Sequence, residues 1–188
     1  MTRSNLLPMD GEAYLFHDFF EADHFDALTE SVVWEKETIV IFGERKPVPR
    51  LTAYYGSHNY KYSGVDHAAR PLPKLLSVIQ SACERVAEFQ FNSVLCNYYR
   101  SGDDSMGYHR DNEPVMDTQC IASVSFGASR RMNFRHRTSK ERIGLDLHSG
   151  SLLLMVNCQD QWEHGIPKTK KRVGGRINLT YRRILAAR

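Results

Sequence analysis

Hydrophobic positions change their period along the chain. In "EADHFDALTESVVWE" (21–35) Phe25, Leu28 and Val32 recur at helical spacing. In "RPLPKLLSVIQSACERVAEFQ" (70–90) Leu72, Leu75, Leu76, Ile79, Ala82 and Val86 form one stripe, and Pro71 and Pro73 fit a helix's first turn. Between these two predicted helices, 38–64 reads as strand and turn. Beyond residue 91 the period drops to two. "FNSVLCNYY" (91–99), "IASVSFGA" (121–128), "RRMNFRHR" (130–137), "IGLDLHSGSLLLMVN" (143–157) and "RINLTYRRI" (176–184) are rich in β-branched and aromatic residues. "HSG" at 148–150 predicts a turn. Two helices followed by about eight short strands predict an α+β protein: a double-stranded β-helix, or jelly roll, with helices backing one face.

The chain has 188 residues, no repeat and no linker, so one domain over 1–188 is expected, with the jelly-roll core at about 91–184. No apolar run approaches the ~20 residues that span a bilayer, and the N-terminus lacks the apolar segment of a signal peptide. The expected setting is cytoplasmic, or nuclear in a eukaryote, with no membrane partner and a monomeric state. Cys83, Cys96, Cys120 and Cys158 form no C-x-x-C pair and read as buried reduced thiols. Net charge is only +3, but it is unevenly spread. "RRMNFRHRTSKER" (130–142) and "KTKKRVGGR" (168–176) are basic patches of the kind that suit a polyanion.

The candidate chemistry begins at "NYYRSGDDSMGYHRDNEP" (97–114). His109 and Asp111 alternate, so on a strand they would share a face. His164, in "DQWEHGIP", lies several strands later. Two imidazoles and a carboxylate can fill one face of an octahedron and leave three positions open, the arrangement of non-haem Fe(II) oxygenases. The other histidines, His136 and His148 among them, lack such spacing and read as structural. In "RINLTYR" Arg176, Asn178, Thr180 and Arg182 also alternate. Arginines facing inward need an anion, and a dicarboxylate suits their forked geometry. Asn97 and Tyr99 share that alternation.

These pieces together resemble the AlkB-type Fe(II)/2-oxoglutarate dioxygenases, the direct-reversal demethylases of alkylated nucleic acid. "N-Y-Y" (97–99), "H-R-D-N-E" (109–113), "IASVSFGA", "HSGSLLLM", "WEHGIPK" and "R-I-N-L-T-Y-R" fall in family order, and the likeness covers about 38–184. "IFGERKPVPR" (41–50), "LTAYYG" (51–56) and "YKYSG" (60–64) place it nearest the branch with the eukaryotic DNA-repair homologues. The resemblance implies that His109, Asp111 and His164 bind Fe(II). It implies that Asn97, Tyr99, Arg176, Asn178, Thr180 and Arg182 hold 2-oxoglutarate, with O2 as the oxidant. In the family the first arginine of R-x-N-x-T-x-R meets the distal carboxylate, here Arg176.

The segment at about 38–64 would be a nucleotide-recognition lid. Tyr62 would stack on a flipped base, with His109 against its other face, while Tyr60 and Ser63 contact the base or its phosphate. Phe42 would fill the gap left in the duplex, and Arg50 would line the pocket. Extrusion is needed because a base inside its stack cannot reach a buried iron. The implied partner is alkylated DNA, single- or double-stranded, carrying 1-methyladenine or 3-methylcytosine, with RNA as the alternative. A lesion-binding protein without turnover is the rival from another class. One position departs from the family: the residue after the metal aspartate is usually a second acid, and here it is Asn112. Asn112 and Glu113 are candidate base contacts.

Overall fold

The computed structural model describes residues 4–41, 44–62 and 65–185. In chain order the elements are β1 (Glu12–Phe16), α1 (Phe25–Ser31), β2 (Thr38–Ile41), β3 (Glu44–Pro47), β4 (Leu51–Gly56), β5 (Tyr60–Tyr62), β6 (Val65–His67) and α2 (Lys74–Ala87). Then come β7 (Ser93–Tyr99), β8 (Met106–His109), β9 (Met116–Gly127), β10 (Arg130–His136), β11 (Arg142–Leu147), β12 (Leu152–Val156), β13 (Trp162–Ile166) and β14 (Arg176–Ile184).

Two sheets face each other. The larger has six strands in the order β1-β12-β9-β14-β7-β4, and the smaller has four in the order β11-β10-β13-β8. Their pairings are antiparallel. Strand alternation splits the large sheet's residues between two cores. On β14, Ile177, Leu179 and Tyr181 point outward, into a layer with Leu28 of α1 and Leu76, Ile79 and Cys83 of α2. On the opposite face, Ala13, Ile121, Leu153 and Met155 meet Met132, Phe134, Leu145, Trp162 and Ile166 of the small sheet. The architecture is the expected jelly roll.

Three local differences have physical causes. The stripe over 21–35 yields only the seven residues of α1, because Val32 turns extended (ψ 133°) and the Val33 N–H leaves to bond the Tyr55 hydroxyl. α2 starts at Lys74, after both prolines: Pro73 is its extended N-cap (ψ 148°), and a residue preceding proline, as Leu72 does, is disfavoured in the helical region. β1 was not predicted. Its two faces are both apolar, Ala13 and Leu15 on one and Tyr14 and Phe16 on the other, so no alternation betrays it.

The expected lid is divided. Hairpins β2–β3 and β5–β6 each form a separate two-stranded ribbon, but β4 between them is an edge strand of the large sheet, paired with β7. Phe42 and Ser63 lie outside the described residues. The turn at 148–150 is present, with Gly150 at φ 75°, where a Cβ would collide with the Phe20 carbonyl. All four cysteines are buried free thiols. Burial pushes Cys83 and Cys158 up to about 12, Cys120 to about 11, and Cys96 higher still.

The candidate metal centre and its anion cradle

The small sheet supplies the imidazoles. His109 on β8 and His164 on β13 are direct cross-strand partners, with ring centroids 4.4 Å apart. Gly165 permits this approach, since a Cβ there would press on the backbone of Met106 and Gly107. Asp111 sits in the loop after β8 and is fully buried. Its Oδ1 lies 3.9 Å from His109 Nε2 and its Oδ2 lies 3.8 Å from His164 Nε2. One ligand atom from each residue falls within 4.8 Å of the others. The spacing leaves room for an ion between them.

Protonation favours a cation there. His109 Nδ1 lies 3.0 Å from the Gly107 carbonyl, which can only accept, so Nδ1 carries the proton and Nε2 presents a lone pair. Burial, reinforced by the charge of His109, pulls His164 down to about 3, keeping it neutral. Burial also lowers His109. Burial alone would raise the Asp111 carboxyl, but Arg182 and the two imidazoles outweigh it and hold it below the usual range. Asp111 Oδ2 is buried with no hydrogen-bond partner among the described residues. A buried carboxylate oxygen in that state is costly unless a cation meets it. The donor set and its orphaned oxygen fit a divalent metal such as Fe(II).

The large sheet supplies the cradle. On β14, Arg176, Asn178, Thr180 and Arg182 all face inward and are buried, and β7 sets Tyr99 opposite Arg176 and Asn97 opposite Asn178. Asn178 Oδ1 accepts from Thr180 Oγ1 (3.0 Å) and Asn97 Nδ2 (3.4 Å), while its Nδ2 donates to Ser123 Oγ (2.8 Å). Arg50, at the foot of β4, donates from Nε to Asn97 Oδ1 at 2.6 Å. Arg176 is 0% exposed. It donates to Ser125 Oγ and lies against the Tyr99 ring, 5.3 Å from its centroid. Its Nε and Nη1 have no hydrogen-bond acceptor among the described residues, and burial pulls it down to about 10. A buried guanidinium so placed fits a carboxylate-bearing ligand.

Both halves line one narrow cavity. Asn97, Tyr99, Asn178, Thr180 and Arg182 meet His109, Asp111 and His164 there. Arg182 joins the halves, since its Nη2 donates to Asp111 Oδ1 at 2.6 Å.

A family model described as the 2OG-Fe(II) oxygenase superfamily matches residues 12–182. The chain belongs to that superfamily. The AlkB-type resemblance is borne out by the relatives of this oxygenase. "Alpha-ketoglutarate-dependent dioxygenase alkB homolog 3" of Mus musculus is 36% identical over 183 residues, covering 90% of this chain and 64% of that protein. "DNA oxidative demethylase ALKBH2" of Homo sapiens is 38% identical over 159 residues, covering 78% and 61%. The oxygenase thus spans less than two thirds of these relatives. A solved structure described as "The structure of OsALKBH1" aligns with TM-score 0.66 at 13% identity, covering 94% of this chain and 99% of that one, and shares the fold.

The remaining expected residues are distributed as follows. Arg50 is brought to the cradle through Asn97. Tyr60 and Tyr62 bound β5. Asn112 is exposed and Glu113 half-buried, both beside Asp111 in its loop. The basic patches shrink. In 130–142, Arg130 is buried, donating to the carbonyls of Ser101, Asp104 and Pro167. Arg131 pairs with Asp146, and Arg135 with Glu163. Arg137, Lys140 and Arg142 remain exposed. The second patch loses Arg176 to the cradle and keeps Lys168, Lys170, Lys171 and Arg172 exposed. Sequence reasoning missed Ser123 and Ser125, although they alternate in "IASVSFG". It also missed Gln159, a lone loop glutamine with no periodic signal.

Proposed function

We propose that this oxygenase is an Fe(II)/2-oxoglutarate-dependent dioxygenase that removes N-linked methyl groups from nucleic-acid bases, with 1-methyladenine and 3-methylcytosine in DNA as its substrates. The observation that carries this reading is the pocket shared by half-buried His109, buried Asp111 and His164, and inward-facing Asn97, Tyr99, Asn178, Thr180 and Arg182, with the under-satisfied Arg176 beside Tyr99. The name of the human relative, a DNA oxidative demethylase, supports a nucleic-acid substrate.

His109 Nε2, Asp111 and His164 would hold the iron. Arg176 would grip the distal carboxylate of 2-oxoglutarate, and Asn97, Tyr99, Asn178 and Thr180 would fix its length along the cradle. Arg182 would orient Asp111 and border the keto-acid end. Iron with 2-oxoglutarate and O2 supplies the oxidation of an N-methyl group to hydroxymethyl, which leaves as formaldehyde while the cosubstrate leaves as succinate and CO2. The protein's part is orientation in a pocket with little room for water. The hairpins β2–β3 and β5–β6 would form the lid, with Phe42 filling the vacated stack, Tyr60, Tyr62 and Ser63 reading the extruded nucleotide, Arg50 bordering the pocket, and Asn112 and Glu113 meeting the base edge.

The test is formaldehyde and succinate release from matched methylated DNA and RNA oligonucleotides, single- and double-stranded, with Fe(II) and 2-oxoglutarate. Release from DNA supports the reading. Release from RNA alone moves the same chemistry to RNA. Lesion binding without release overturns the enzymatic reading.

A further inference from the structure

The most exacting metal ligand stands on the least regular backbone. β8 ends at His109 and β9 begins at Met116, so Asp111 belongs to a loop with no strand partner, yet it is fully buried. Two restraints hold it. Arg182 fixes one carboxylate oxygen. The second acts on the backbone: the Asp111 N–H donates to Gln159 Oε1 at 3.0 Å.

Gln159 is 1% exposed and lies in the connection between β12 and β13, which leads into His164. Its NH2 group faces Met155 Sδ at 3.8 Å and Cys158 Sγ at 3.5 Å. Both sulfurs are weak acceptors. The amide therefore has one workable orientation. Reversed, it would set an N–H donor against the Asp111 N–H. A single amide thus ties the Asp111 loop, which follows the strand of His109, to the turn that leads into the strand of His164.

We propose that Gln159 is a positioning residue for the metal centre, setting metal affinity by fixing the Asp111 backbone before the ion arrives. The inference rests on the reading of His109, Asp111 and His164 as metal ligands. An untethered loop would have to be ordered at the expense of binding, and pre-organisation removes that cost. Outer partners of this kind change metal affinity roughly 10–100-fold when lost.

The test compares Gln159→Met, which keeps the shape and loses the acceptor, with Gln159→Glu, which keeps an acceptor oxygen whether ionised or not. Co(II) is titrated anaerobically into the purified full chain and followed by its d–d absorption, alongside thermal unfolding of the metal-free proteins. The expected result is Co(II) binding weakened roughly tenfold in Gln159→Met, a changed d–d spectrum, and near wild-type binding in Gln159→Glu. A lower unfolding temperature with unchanged Co(II) affinity would overturn the proposal and leave Gln159 as packing. Equal losses in both variants would also overturn it, which keeps the test decisive if Gln159→Met folds poorly. Failure of the wild type itself to bind Co(II) would instead overturn the metal reading.

Discussion

The two facing sheets build the same pocket by different means. The six-stranded sheet offers a flat row: Arg176, Asn178, Thr180 and Arg182 on one strand, with Asn97 and Tyr99 paired beside them. Every member is fixed by strand register, and neighbours on β9 satisfy much of its hydrogen bonding. The four-stranded sheet offers only two ring nitrogens and needs a loop for the third ligand. The row suits an extended dianion whose ends must be measured. The cluster suits a point charge that must be approached from several directions. The sheets are therefore separable in what they bind, although Arg182 couples them at Asp111.

The severest test of that separation is Asp111→Ala. It removes the only anionic ligand of the triad and leaves Arg182 buried without its partner carboxylate. Loss of one side of a buried pair costs ~3–5 kcal/mol. Turnover and Co(II) binding should both vanish, and unfolding temperature should drop. Wild-type formaldehyde yield under controlled chelation would break the metal assignment.

Arg176→Met should strike the other sheet alone. A charged hydrogen-bonded contact is worth ~1.5–3 kcal/mol, or roughly 10–150-fold, so the apparent KM for 2-oxoglutarate should rise by that factor while Co(II) affinity stays put. An unchanged KM would remove Arg176 from the cradle's function.

Acid should also separate the sheets. His164 is held neutral at about 3 when folded, against about 6.5 when unfolded. The unfolded chain then binds the extra proton. That uptake costs the fold nothing above about pH 6.5 and progressively more as pH falls toward 3, at about 1.4 kcal/mol per pH unit. Asp111 adds loss only below the ordinary aspartate range, since its pKa is already depressed. Metal-free protein should thus lose unfolding temperature between pH 6.5 and 4, and His164→Gln should flatten that slope. An identical slope in the variant would locate the sensitivity elsewhere.

The smallest expected effect lies at the cluster's exposed edge. Asn112 offers a neutral acceptor and an NH2 donor where relatives by resemblance carry an acid. Asn112→Asp should move relative kcat/KM toward the cationic, amino-bearing 3-methylcytosine over 3-methylthymine by about fivefold, from a bond difference of about 1 kcal/mol. A ratio within about twofold of wild type would mean that Asn112 does not read the base.

The row was far more legible in sequence than the cluster. Alternation on β14 shows because one face is polar and the other, with Ile177, Leu179 and Tyr181, apolar. β1 is apolar on both faces and gave no such contrast. The alternation that paired Asp111 with His109 misread its backbone, since β8 ends at His109 and Asp111 lies in a loop; the motif alone marked it correctly. Gln159 could not be seen, because its meaning arises from a contact between distant turns. Charge misled in the other direction: Arg130 and Arg135 looked like a surface field until tertiary partners claimed them.

The buried thiols carry a consequence for the proposed function, which would meet alkylating chemistry. Sulfur attacks electrophiles as thiolate, and burial holds Cys83, Cys120 and Cys158 at about 11 to 12, with Cys96 beyond. At neutral pH the folded protein therefore presents methylating agents with almost no thiolate, and a thiol-reactive dye should label it only after unfolding. Under the proposed function, the four thiols would not be consumed by the reagent whose damage the protein removes.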